Sequence, residues 1–189
     1  MATEVDICNI ALFKVGAERI SSLAENNKRA KLCNDLYALE RDNLLYSHPW
    51  NFAIVRAELS PVVAAPLFGY TKQFQIPSDC LRVIATEYDE YVDTFDYRIE
   101  GDKLLCDEAT IKVEYIKQQT DVSKYTPKFI EALGLQIAAR IAYAMTNSNS
   151  LSERIIKEAD LALRDARSFD AQESGHRDFR KSSWTDVRL

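Results

Sequence analysis

Apolar residues recur at helical spacing near the start of the chain. Steps of three and four residues predict one face of a helix over about residues 4–15, carried by Val5, Cys8, Leu12 and Val15. Gly16 follows this face and indicates the C-terminal stop of the helix.

A second and longer helix is predicted over about residues 27–46. Leu32, Leu36 and Leu39 form one apolar row along it, which Cys33, Tyr37 and Leu44 broaden. Charged residues cover the rest of its surface: Lys28, Arg29, Lys31, Glu40, Arg41 and Asp42. Pro49 ends the helix, because the residue before a proline avoids helical angles.

The pattern changes to β-type over about residues 51–118. Alternation between residues 70 and 76 predicts a strand with two distinct faces. Glu100-Gly101-Asp102 is a turn signal between two short strands. In the clearest strand, residues 110–117, the side chains of Ile111, Val113 and Tyr115 point to one face.

Helical spacing returns in the last third of the chain. Thr126 as a cap and Pro127 in the first turn start a helix predicted over about 127–146. Residues 147–150 are predicted to form a turn, and a fourth helix follows over about 151–169 with small residues on its apolar stripe. The periodicity is lost from Asp170 onward.

The order helix, helix, strands, helix, helix, tail predicts an α+β fold. We expect one domain over residues 1–170, in which about four helices form an antiparallel bundle with an inserted small β-sheet or sandwich region. Residues 171–189 are expected to be a flexible C-terminal tail that orders on a partner.

The charge is unevenly distributed and argues against a protein that grips nucleic acid. The net charge is -5. Residues 87–108 hold nine acidic residues against Arg98 and Lys103, so 2 - 9 = -7, whereas residues 175–189 have 4 - 2 = +2. Binding to phosphates requires a basic stripe, which this sequence lacks.

The search for catalytic or metal-binding chemistry finds little. The four cysteines form no CxxC pair and are predicted to be reduced core residues of a cytosolic product, and no zinc site is expected. His48 is expected to cap the last turn of the second helix, while His176 lies in the tail without a rigid frame. The sequence has no nucleotide-binding or hydrolase motif, so we predict that the protein is not an enzyme and has no cofactor. No secretory signal is recognised at the N-terminus, and no apolar run is long enough to span a bilayer.

Several short phrases, taken in order, resemble the tail tubular protein A family, the head-to-tail adaptors of short-tailed bacteriophages. The resemblance extends to about Phe169. No single phrase is diagnostic, and the specificity comes from the order in which the phrases occur. It is carried by Cys8-Asn9-Ile10-Ala11-Leu12, residues 47–53 (SHPWNFA), residues 74–83 (FQIPSDCLRV), residues 97–101 (YRIEG), residues 113–116 (VEYI), and residues 125–133 (YTPKFIEAL) leading into residues 138–142 (AARIA).

The resemblance implies a structural virion protein that is made in the cytoplasm of a bacterial host. Such adaptors form a ring, commonly of twelve copies, between the portal and the tail nozzle, and DNA passes through the ring without specific binding. A chain that is a monomer in isolation remains compatible with this role. The family has no catalytic residues. Its C-terminal segment, here Gln172–Leu189, reaches toward the portal, and the residues expected to dock there are Arg177, Phe179, Arg180, Lys181, Trp184 and Arg188. Among these, Phe179, Arg180 and Trp184 belong to the residue types that anchor interfaces.

Two other classes of protein remain open at this point. One is a DNA-binding or packaging accessory protein, for which binding would weaken steeply with salt. The other is a small hydrolase, which the residues above support poorly.

Overall fold

A computed structural model of the protein describes residues 2–88 and 95–173. Within them the chain is a mixed α+β structure, as the sequence predicted, with four α-helices and two small antiparallel sheets. The helices are α1 (Glu4–Lys14), α2 (Lys28–Ser47), α3 (Pro127–Thr146) and α4 (Asn149–Glu173).

Local side-chain chemistry and backbone conformation determine where α1 begins and ends and where α3 begins. Thr3 and Asp6 form a reciprocal capping box at the start of α1, and Gly16 with φ 73° follows its end. Thr126 accepts a hydrogen bond from the Phe129 amide, with Pro127 in the first turn of α3. The predicted stop at Gly16 and the predicted start at Thr126-Pro127 are therefore confirmed.

The connection between α3 and α4 is shorter than predicted. Asn147 adopts the left-handed conformation (φ 51°) and donates its amide hydrogen to the Tyr143 carbonyl, and α4 already begins at Asn149. The predicted turn over residues 147–150 is wrong in its second half. At its other end α4 continues to Glu173, past Phe169, where the sequence pattern had placed its end.

The strands within residues 2–88 and 95–173 are β1 (Ile54–Glu58), β2 (Ser60–Pro61), β3 (Lys72–Gln75), β4 (Cys80–Thr86), β5 (Arg98–Glu100), β6 (Lys103–Cys106) and β7 (Lys112–Lys117). One sheet has the order β1-β7-β4 and the other β2-β3-β6-β5, with antiparallel pairing throughout. The predicted turn between β5 and β6 is confirmed, with Gly101 at φ 61°.

Strand β7 separates two hydrophobic clusters. Val113 and Tyr115 pack with Phe74 and Leu104 of the other sheet. Ile116 points the opposite way, into the cluster formed by the helices. The first sheet is therefore covered on one face by helices and on the other by the second sheet.

Helix α3 is the central helix of the helical part and contacts α1, α2 and α4. The approach of α1 is close at Gly134, where an added Cβ would lie 2.8 Å from Ile10 Cγ2. Only a glycine allows the two helices to come this near without displacing Ile10.

The buried face of α2 contains Cys33, Tyr37 and Leu44 of the predicted apolar face, but it excludes Leu39. Leu39 is 55% exposed, whereas Glu40 and Arg41 are buried. Glu40 faces Arg140 of α3, whose Nε lies 2.9 Å from the Glu40 Oε1 atom. Because ion pairing satisfies this carboxylate, α2 can turn a charged side toward α3.

Candidate functional site

All six residues that the sequence predicts to dock on a portal lie outside the part of the chain that the structure describes. They are Arg177, Phe179, Arg180, Lys181, Trp184 and Arg188. His176 also lies there. What the structure does describe is the base of this segment, the last turns of α4 up to Glu173.

The base is held by Asp170, a carboxylate that is only 5% exposed. Its Oδ2 lies 3.1 Å from His48 Nε2, and its Oδ1 accepts the Asn51 amide hydrogen at 3.0 Å. Asn51 also donates through its side-chain amide to the Asp170 carbonyl at 2.6 Å. We call these three residues the α4 latch.

The α2 side of the latch is shaped by residues 47–53, one of the phrases that carries the family resemblance. Trp50 is completely buried and donates its indole N–H to the Leu44 carbonyl at 2.9 Å. Its ring lies 5.0 Å from that of Phe129 on α3, edge to face. The Trp50 anchor therefore brings His48 and Asn51 to the end of α4 in a defined position.

His48 is the C-cap residue of α2, as predicted, but its side chain bonds to a group outside the last turn. The last turn of α2 is capped by Trp50 and by the Ser47 hydroxyl, which both donate to the Leu44 carbonyl. The imidazole of His48 turns instead toward Asp170.

A histidine beside a buried aspartate also raises the question of a catalytic triad, which needs a nucleophile on the other ring nitrogen. Ser47, the neighbouring hydroxyl, donates to the Leu44 carbonyl and accepts a hydrogen bond from Arg167. The Nε2 atom of His48 is already engaged by Asp170. The described hydrogen bonds of Ser47 are made with Leu44 and Arg167, and that of His48 with Asp170, so the arrangement holds two segments together.

The cysteines occupy apolar surroundings, as predicted. Cys8, Cys33 and Cys106 are buried and Cys80 is half-buried, and all four are free thiols. Burial raises the pKa of the Cys80 thiol to about 11 and also raises that of Cys106. Across residues 2–88 and 95–173, no three His, Cys, Asp or Glu side chains are grouped so that they could hold a metal ion.

Sequence reasoning missed Asp170, which it placed where the helical pattern ends. A signal was present, because Asp170 continues the buried stripe of Ile155, Ala159 and Ala166 by a further step of four. A charged residue on an apolar stripe indicates a specific partner on the facing element.

Comparison of the chain with models of known protein families finds no match, and comparison with curated proteins finds none. None of the helices that the structure describes has the length and apolar content needed to cross a membrane.

Proposed function

We propose that this protein is a structural component of a phage particle, a head-to-tail adaptor that forms a ring between portal and tail nozzle. The proposal is supported by the ordered phrases of the family resemblance. In this role the protein has no catalytic activity and no cofactor.

The observation that carries the proposal is the α4 latch. The phrase at residues 47–53 and the end of α4 are distant in sequence, yet Asp170 joins them through a buried carboxylate. A segment that docks on a large partner loses less entropy when its base is already fixed. The latch supplies such a base for residues 174–189.

In the proposed ring, the four helices form an antiparallel bundle that makes the wall. The contacts of α3 with the other three helices are compatible with such a bundle. The net charge of -5 suits a channel for DNA, because an acidic wall repels phosphates and does not retain the passing genome.

Electron microscopy of the full chain mixed with the portal ring of its phage tests this proposal. We expect rings of adaptor on the portal, and we expect the double substitution Phe179→Ala with Trp184→Ala to abolish them. Leu39→Ala, which truncates an exposed apolar residue of α2, is the control and should leave ring formation unchanged. Failure of the unsubstituted chain to bind any portal of this phage class contradicts the adaptor role.

The same preparation distinguishes the adaptor from a DNA-binding accessory protein. An accessory protein would bind duplex DNA with an affinity that falls steeply between about 50 and 200 mM salt. For the adaptor we expect no measurable binding at either concentration.

A further inference from the structure

The loop between β2 and β3 presents apolar side chains to solvent. Val63, Leu67 and Phe68 are each at least 86% exposed, and no charged residue occurs between residues 59 and 71. Exposed apolar groups concentrated in this way indicate a contact surface.

The base of this loop is well held although its apolar side chains are exposed. The buried Gln73 donates its side-chain amide to the Ala64 carbonyl at 2.6 Å, and the Val62 amide donates to the Gln73 carbonyl at 2.9 Å. On the other side, the Thr71 amide donates to Asp107 at 2.8 Å. A fixed loop loses little entropy on docking, so burial of its side chains translates more fully into affinity.

A cleft of about 470 Å³ lies at the end of the helical part that is remote from the sheets. Its apolar walls come from the end of α1 and the end of α3, namely Val15, Ala17 and Met145. Lys28 and Arg29, in the first turn of α2, form its rim. Lys28 donates to the Ala144 carbonyl and Arg29 pairs with Glu18 at 2.8 Å, so the rim is held in place.

The loop does not contact the cleft of its own chain. Helix α2 has 20 residues, and at about 1.5 Å per residue its ends are about 30 Å apart. The cleft lies at the first end, whereas the sheets meet α2 near the second end, where the Arg82 guanidinium lies 5.3 Å from the centre of the Tyr46 ring. The exposure of Leu67 and Phe68 confirms that no part of the chain described in the structure covers them.

Charge favours a meeting of the two surfaces from different copies. Residues 95–108, which include β5 and β6, have two basic and five acidic residues, so 2 - 5 = -3. Tyr70 and Thr71 at the end of the loop bond to two of these acids, Asp96 and Asp107. Residues 14–31, which include seven of the eight residues that line the cleft, have five basic and two acidic residues, so 5 - 2 = +3. Opposite charges steer the loop of one molecule toward the cleft of another.

We propose that two copies of this chain associate head to tail, with the apolar loop at residues 62–70 of one copy seated in the α1–α2–α3 cleft of the next. This contact joins neighbouring copies in the ring proposed above, and the inference rests on that proposed function. Because the two surfaces differ, each copy retains one free loop and one free cleft, and association continues until a ring closes.

Sedimentation velocity of the full chain tests the contact. Protein concentrations up to about 1 mM allow association with a Kd as weak as about 1 mM to be detected. Phe68→Asp removes the apolar tip, and Ala17→Trp fills the cleft. Each is expected to lower the association constant by roughly 10- to 100-fold, the value of burying one large apolar side chain. Leu161→Asp introduces the same charge at an exposed position of α4 and should leave association unchanged.

Mixing the two variants gives a sharper result. Phe68→Asp retains an intact cleft and Ala17→Trp retains an intact loop, so the mixture can form one contact and should stop at a dimer. Circular dichroism confirms that each variant is folded. A photoreactive benzoylphenylalanine at position 68 provides a second readout and should cross-link to residues 14–18, 27–29 or 145 of another copy.

Absence of self-association at about 1 mM, or cross-links to other positions, overturns the inference. So does binding of phosphatidylcholine vesicles that Phe68→Asp abolishes while the chain itself remains monomeric. Rings that form on a portal without the loop contact would leave the adaptor role standing and refute this inference alone. Loop-dependent association without any portal binding would support the loop contact and contradict the adaptor role.

Discussion

The α4 latch leads to a quantitative prediction for Asp170→Ala. The substitution removes the acceptor of two hydrogen bonds, those from His48 Nε2 at 3.1 Å and from the Asn51 amide at 3.0 Å. The bond from the Asn51 side chain to the Asp170 carbonyl involves the backbone and is retained. Removing the acceptor of a buried donor costs about 1–3 kcal/mol, and water can reach the partly exposed His48 ring. We therefore expect the free energy of unfolding to fall by about 2–4 kcal/mol.

Urea unfolding followed by circular dichroism measures this change, and amide hydrogen exchange locates it. Asp165→Ala removes a carboxylate from the exposed side of the same helix and should change stability by less than about 0.5 kcal/mol. Asp170→Asn, whose amide oxygen can still accept from Asn51, should fall between the two. Exchange should rise in the last turns of α4 in Asp170→Ala. If Asp170→Ala unfolds like Asp165→Ala, the latch does not hold the helix end and the proposed base for the docking segment is wrong.

Three further predictions concern the core and its titrating groups. Gly134→Ala should destabilise the wild-type chain by about 1–2 kcal/mol, because the added methyl group clashes with Ile10. In the Ile10→Ala background the same substitution should stabilise the chain by up to about 1 kcal/mol, because alanine has the higher helix propensity. Equal effects in both backgrounds in urea unfolding would contradict the close packing. Burial raises the pKa of Tyr115 and of Tyr125 to about 12 each. The stability that these neutral phenols contribute is complete below the pKa of tyrosine in the unfolded chain, near 10, and should be lost as the pH rises through about 12. Unfolding curves that do not change between pH 9 and 12 would contradict this. Burial raises the pKa of the Cys80 thiol to about 11. Its alkylation in the folded chain should therefore accelerate about tenfold per pH unit between pH 8 and 10, as the thiolate fraction grows. Labelling that is already fast at pH 8 would refute the raised pKa.

Two of the phrases that carry the family resemblance contact each other in the folded chain. The resemblance depends on the order of phrases along the chain, and two of these, residues 47–53 and 125–133, meet in space through Trp50 and Phe129. The contact between them is a packing relation that a list of phrases does not contain.

The sequence by itself determined the features that depend on neighbouring residues. The start of α3 at Thr126-Pro127, the stop of α1 at Gly16 and the hairpin turn at Gly101 follow from backbone preferences and short-range hydrogen bonds. The α+β class follows from the same local patterns, since periodicity changes from helical to alternating and back.

Only the tertiary structure decided that a charged side of α2 is buried and which distant residues meet. Glu40 is buried and Leu39 exposed because α3 brings Arg140 to that side of α2, and a partner 100 residues away leaves no trace in helical spacing. The place of Asp170 on the apolar stripe of α4 signals its burial, but not its partners His48 and Asn51, which lie about 120 residues earlier in the chain. Burial of a charge is favourable only when its partner is in place, and that partner is supplied by the folded chain as a whole.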